Sequence, residues 1–343
     1  MYPYIDFHCD TLMMFAEPDR KVLANLYHDD SLTTFDGSDP AAAPGLYKND
    51  GMIDLCRLKE GGCTAQFFAT FMPPAKHMPE GMSDECYRSL LYNGLMKAVS
   101  DHSDMLAFAR SYEDYEQNKK AGKVSAFLTF EDGRMVNGSF DQLKKYYDLG
   151  YRLISLTWNF ENCFGYPNSK DPDIMTKGLK GFGKEAISVM NDLGIIIDVS
   201  HLSDGGFYDV ANLSRKPFVA SHSCARALTS HTRNMTDDML HLLGEKGGFV
   251  GVNFCPDFVE DVPGSNLSSV RRICDHVEYM ANLAGMEAVG IGTDFDGIGG
   301  ELEVAQPTDI YKLFDELSRR GWSDDQLEMF GTRNAERILK ETL

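Results

Sequence analysis

Eight short apolar runs punctuate the chain: YIDFHCD (4–10), TAQFFATF (64–71), VSAFLTFED (124–132), YRLISLTW (151–158), GIIIDVSH (194–201), KPFVASH (216–222), GGFVGVNF (247–254) and AVGIGTDF (288–295). Most are near-continuous rather than alternating, the pattern of strands buried on both faces of a parallel sheet. Between them lie segments of helical character at 83–102, 139–150, 181–194, 236–247 and 268–285, with a further pair over 308–321 and 323–340. Several start at Ser, Thr or Asp and finish at Gly, the residues that cap helices. Strands alternating with helices imply right-handed βαβ units. Eight of them predict one α/β domain over residues 1–343, a closed (β/α)8 TIM barrel. An open doubly wound sheet is the alternative. Segment 17–50, rich in Asp, Gly, Pro and Ala, reads as a long loop after the first strand.

The polar residues that close these runs change the picture. In a barrel of this kind the site lies at the C-terminal ends of the strands. Those ends carry His8 and Asp10, Gln66, Glu131, Trp158 and Asn159, His201, His222, Asn253 and Asp294. His8 and Asp10, two apart in a strand, share a face, and Cys9 points away. His nitrogen and carboxylate oxygen suit zinc and related divalent ions. Two ions about 3.5–4 Å apart need a bridging ligand, and a carboxylate has two oxygens. One ion on His8, Asp10 and Glu131, and a second on Glu131, His201 and His222, uses all five ligands.

Each residue alone is weak evidence. A lone buried His is more often structural, HxD occurs on ordinary edge strands, and Glu131-Asp132-Gly133 reads equally as a turn. DFDG (294–297) lacks the ligand spacing of an EF-hand. The joint occurrence at five strand ends carries the metal reading. The histidines at 28, 77, 102, 231, 241 and 276 are read as surface or local structural residues.

Composition excludes more than it assigns. The formal charge of -19, from 52 acidic and 33 basic residues, disfavours phosphate backbones and hence nucleic acid. No apolar stretch approaches the roughly 18 residues of a membrane helix, and no basic segment precedes the first apolar run as in a signal peptide. Eight cysteines without a CxxC pair read as reduced thiols, so a cytoplasmic protein is expected.

At these residues the chain resembles the membrane (renal) dipeptidase family, zinc dipeptidases of the amidohydrolase superfamily. The matching stretches are DFHCDTL, GGCTAQFFATF, FEDG, LISLTWN, IIIDVSHLS, FVASHSCARAL, TRNMTDDML, GVNF and VGIGTDFDG, spread over nearly the whole chain. The resemblance implies a (β/α)8 barrel, two zinc ions per chain on His8, Asp10, Glu131, His201 and His222, and a homodimer. It also implies that Arg233 grips the substrate's terminal carboxylate and that Asp294 moves the proton from the attacking water to the leaving amine of a dipeptide. It departs at Trp158, where the family has a substrate-binding histidine. Trp158 and Asn159 are therefore carried as candidate substrate-binding residues. The rivals are another amidohydrolase reaction (deamination, lactone opening or N-acyl amino acid hydrolysis) and a non-catalytic metal-binding barrel. Known mammalian members are secreted and lipid-anchored; the ending RILKETL matches no such anchor, and a soluble relative is expected.

Overall fold

Parallel strands cannot be joined by tight hairpins, so each apolar run needs a crossover to reach the next. The computed structural model describes residues 2–15, 45–78, 81–262 and 264–343. Its barrel strands are β1 (Tyr4–Cys9), β2 (Cys63–Phe71), β3 (Val124–Glu131), β4 (Tyr151–Ser155), β5 (Ile196–Asp198), β6 (Val219–Ser223), β7 (Phe249–Val252) and β8 (Val289–Ile291). Each pairs in parallel with the next, and Asp6 of β1 opposite Ile291 of β8 closes the ring. Closure excludes the open sheet and establishes the (β/α)8 barrel.

Helices fill the crossovers: α1 (Asp84–Asp101), α2 (Tyr112–Lys120), α3 (Phe140–Leu149), α4 (Gly181–Leu193), α5 (Asp204–Leu213), α6 (Asp237–Glu245), α7 (Val270–Ala284), α8 (Tyr311–Arg319) and α9 (Asn334–Thr342). Ser83, Ser139, Ser203, Thr236 and Ser269 accept backbone N–H bonds at the starts of α1, α3, α5, α6 and α7. Gly150 ends α3 with φ 106°, a conformation that costs glycine least.

Among the elements that escape the sequence pattern are α2, α5 and a short strand. α2 buries only Tyr115, so it has no apolar stripe to read. α5 opens on Gly205 and Gly206, which look like a breaker. A Cβ at Gly205 would lie 2.3 Å from the Thr176 carbonyl oxygen, so the pair serves close packing. Leu106–Phe108, too short to recognise, pairs with the first residues of β3. The stretch expected as a helix over 323–340 is helical from Asp324 on, with a π turn at Met329–Arg333 inside it before α9. The loop expected over 17–50 lies outside the described residues up to position 44, as does His28.

Among the described residues two large cores pack the two faces of the sheet. Ile5, Phe7, Phe67, Phe127, Leu153, Ile196, Val219 and Phe249 form a buried cluster that Ile338 and Leu339 of α9 join. Ile196, Val219 and Phe249 each begin their strands, so this plug fills the N-terminal end of the barrel. Phe7 stacks on Phe67 with ring centroids 4.3 Å apart. The larger cluster, Cys9 included, packs the other faces of the strands against the helices. The apolar plug leaves the C-terminal end for polar groups.

Candidate active site

The strands end sooner than the apolar runs do, which sets how each polar residue is held. His8 and His222 lie within β1 and β6, and Glu131 is the last residue of β3. Asp10 and Asn253 follow β1 and β7 by one residue. Trp158, Asn159, His201 and Asp294 sit in the first turns beyond β4, β5 and β8. Gln66 is mid-strand in β2 and donates to Asp6 Oδ2 at 3.0 Å, so it belongs to a structural pair and not to the site. The β1–β2 register slips between Asp6 and Cys9. A bulge of this kind re-aims side chains. It lets the neighbours Phe7 and His8 serve the plug and the site respectively.

The five predicted metal ligands converge. His8 Nε2 lies 3.4 Å from Asp10 Oδ2 and 3.3 Å from Glu131 Oε2. The other Glu131 oxygen, Oε1, is 2.8 Å from His201 Nε2 and 3.7 Å from His222 Nε2. Among the described residues these atoms form the triads His8–Asp10–Glu131 and Glu131–His201–His222, and a third, His8–His222–Asp294, overlaps both. All are buried.

Hydrogen bonds fix which imidazole nitrogens face inward. Ser221 Oγ donates to Asp198 Oδ2 at 2.6 Å, so His222 Nδ1, 2.8 Å from the same hydroxyl, donates to it. His201 Nδ1 donates to Asn159 Oδ1 at 3.2 Å. Neutral rings then turn bare Nε2 atoms toward each other at 3.0 Å. Two lone pairs at that distance repel unless a cation lies against them. His8 Nε2 and Asp10 Oδ1 are buried and make no hydrogen bond. Acceptors without donors, of mixed nitrogen and carboxylate type, fit a zinc-like divalent cation.

Burial and crowding shift the protonation of these groups in opposite directions. Burial pushes Glu131 up to about 8, with the Asp10 charge adding to it. Burial raises Asp294 to about 6, and Asp10 again adds. Burial opposes a charged His8, yet the Glu131 and Asp10 carboxylates outweigh it and hold the imidazole well above its usual value. Burial, with Arg233 and His8 nearby, pushes His201 and His222 well down, keeping both neutral as ligands must be.

Asp294 faces the cluster with Oδ1 3.6 Å from His8 Nε2, and Asn253 Nδ2 donates to its Oδ2 at 2.8 Å. Its φ of 63° is left-handed, which Asp tolerates better than most residues. Gly297 packs against this turn, where a Cβ would sit 2.1 Å from Asp10 Oδ2.

Above the cluster opens a cavity of about 510 Å³, lined by Glu131, Asn159, His201, Arg233, Phe258 and Asp294, among others. The Arg233 guanidinium donates to the Ser200 carbonyl and, at 3.1 Å, to that of His222, and lies 5.4 Å from the Phe258 ring centre. Trp158 is only 4% exposed, clustered with Met13 and Phe71, its ring 6.2 Å from that of His201. It packs behind a ligand, whereas Asn159 lines the cavity.

Sequence reasoning missed three contributors. His231 lines the cavity and accepts the Arg233 backbone N–H at 3.1 Å, so it holds the loop that carries Arg233. Lys170 and Asp257 are exposed at the wall. HxR in SHTRN was the available signal for His231.

A family model described as membrane dipeptidase, peptidase family M19, matches residues 1–343. Dipeptidase aclJ of Aspergillus oryzae is 33% identical over 296 residues, covering 84% of this chain and 69% of that protein. The crystal structure of a family M19 metallopeptidase, dipeptidase AC, superposes with a TM-score of 0.82 at 25% identity, over 99% of this chain and 98% of its own. A Rhodobacter sphaeroides metallopeptidase, liganded with a phosphinate mimic of the dipeptide L-Ala-D-Ala, shares the fold with a TM-score of 0.83 at 24% identity, over 100% of this chain and 99% of its own. The chain belongs to the membrane dipeptidase family, peptidase family M19, and is a metal-dependent peptide hydrolase.

Proposed function

We propose that the chain is a binuclear zinc dipeptidase acting on dipeptides with a free C-terminal carboxylate. The observation that carries this reading is Glu131, which gives one carboxylate oxygen to each of two ligand triads. His8 and Asp10 would complete one ion's shell, and His201 and His222 the other. Bound there, such ions supply a water of lowered pKa and polarise the scissile carbonyl.

The chain's own residues do the rest. Arg233, fixed by two backbone carbonyls, brings its cation to the cavity wall and pairs with the substrate's terminal carboxylate. Asp294, held by Asn253, accepts a proton from the attacking water and returns it to the leaving amine. Asn159 borders the cavity beside His201, where it can accept from a substrate N–H. Eight free thiols suit a reducing, cytoplasmic setting. No helix among the described residues is long and apolar enough to cross a membrane.

The test is elemental analysis of freshly purified protein alongside a panel of dipeptides, N-acyl amino acids and lactones. Close to two zinc-like ions per chain are expected, with turnover of dipeptides foremost. Chelation should abolish turnover, and zinc, cobalt or manganese should restore it. Protein that holds one ion or none after reconstitution overturns the binuclear reading, and preference for lactones or N-acyl amino acids overturns the substrate assignment.

A further inference from the structure

Asp198, the last residue of β5, is fully buried and accepts from five donors. They are the hydroxyls of Ser155, Ser200 and Ser221 at 2.5, 2.7 and 2.6 Å, and the backbone N–H groups of Ser200 and Ser221 at 3.0 and 2.9 Å. No cation pairs with it among the described residues. The β5–β6 ladder has a single register pair, Asp198 opposite Val219. Where the ladder stops, the Ser221 N–H turns to the Asp198 carboxylate, so a side chain continues the work of the strand.

Two arms leave this knot. In the first, the Ser221 proton is committed to Asp198, which forces His222 Nδ1 to donate to Ser221 and leaves the His222 lone pair on Nε2. In the second, Ser200 Oγ gives its proton to Asp198 and accepts the backbone N–H of His222 at 3.1 Å. The carbonyls of Ser200 and His222 then receive the two ends of the Arg233 guanidinium.

We infer that Asp198 is a positioning residue that serves the metal and the substrate at once. Through Ser221 it selects the His222 tautomer that can ligate an ion on the His201–His222 side. Through Ser200 it sets the carbonyls that orient Arg233 toward the substrate carboxylate. Partners behind a ligating His typically change metal affinity by about 10–100-fold when removed. The inference rests on the binuclear reading above.

The experiment uses full-length wild type, Ser221→Ala, Ser221→Thr and Asp198→Asn. Stepwise chelator titration gives the affinity for each ion, and nitrogen chemical shifts report the His222 tautomer in the metal-free protein. Steady-state kinetics at saturating zinc separate KM from kcat. Ser221→Ala should lose about 10–100-fold in affinity for one ion, keep the other, mix its His222 tautomers and leave KM in place. Ser221→Thr, which restores the hydroxyl, should recover the affinity. Asp198→Asn should weaken the same ion and also raise KM. Unchanged affinity and an unchanged tautomer in Ser221→Ala overturn the metal arm, and an unchanged KM in Asp198→Asn overturns the substrate arm. Should Asp198→Asn fail to fold, Ser200→Ala reads the second arm through KM. A wild type that holds one ion sinks the binuclear reading, while the metal-free tautomer still judges the role of Asp198.

Discussion

DFDG places two aspartates two residues apart and gives them different work. Asp296 accepts from Thr11 Oγ1 at 2.6 Å and from the Met52 N–H at 2.7 Å, tying the turn to neighbouring segments. Asp294 faces the ligands and the cavity. Asn at 294 keeps the shape and the bond to Asn253 by an amide flip but cannot take and return a proton. Asp294→Asn should therefore retain metal and fold and lose roughly 10²–10⁴-fold in kcat. Kinetics on a dipeptide, with metal content measured on the same sample, decide it, and near-normal kcat removes Asp294 from proton transfer. At this scale the sequence singles out residues that the fold brings together where side-chain chemistry alone selects them. The set His8, Asp10, Glu131, His201 and His222 is of that sort, since each is costly to bury without a partner. Ser221 and Ser200 gave no such signal, because a serine hydroxyl is satisfied almost anywhere.

Strands are recognised by their apolar runs, but runs and strands do not stop together. β4 ends at Ser155 and β5 at Asp198, so the expected strand ends Trp158 and His201 lie on turns. The His201 turn is held by its own carbonyl, which receives Thr157 Oγ1 at 3.1 Å and the Asn168 N–H at 2.8 Å. Trp158 anchors the β4 turn by meeting Phe71 edge-on at 5.0 Å and packing on Met13. Trp158→His would leave part of that volume empty. We expect a loss of roughly 2–4 kcal/mol in unfolding free energy, with metal content kept and the ranking of dipeptides unchanged. Denaturant unfolding and a dipeptide panel test this, and a reordered panel at wild-type stability would place Trp158 in contact with substrate after all. Periodicity failed for α2 and α5 for opposite reasons: one has almost nothing to bury, and the other opens on glycines that look like a break.

Across the whole molecule, His276 shows how acid reaches the fold away from the cluster. It is fully buried in α7, accepts the Ala225 N–H at Nδ1 (3.1 Å) and donates from Nε2 to the Val259 carbonyl at 3.1 Å. Burial, with Arg272 nearby, depresses it to about 4. Above pH ~6.5 the ring is neutral in both folded and unfolded chains. As pH falls below that, the unfolded chain binds a proton that the folded chain refuses until about 4. Stability should fall across this window by up to roughly 3 kcal/mol and lose nothing more through this residue below it. His276→Gln should flatten that part of the curve, read by urea unfolding in chelator at pH 7 and pH 5; an unchanged slope would acquit His276.

The seam between β1 and β8 has a single register pair, where β2 and β3 share seven. Side chains supply what the ladder lacks: Asp6 takes the N–H and hydroxyl of Thr293 at 2.9 and 2.8 Å. His8 and Asp10 stand on one lip of this seam and Asp294 on the other. An ion held by His8, Asp10 and Glu131 would therefore also act as a rivet, tying the β1 lip of this single-pair seam to β3. Whatever concentration of ion the surroundings maintain would then set how firmly the hoop is held, the added stability rising with the logarithm of that concentration over its dissociation constant.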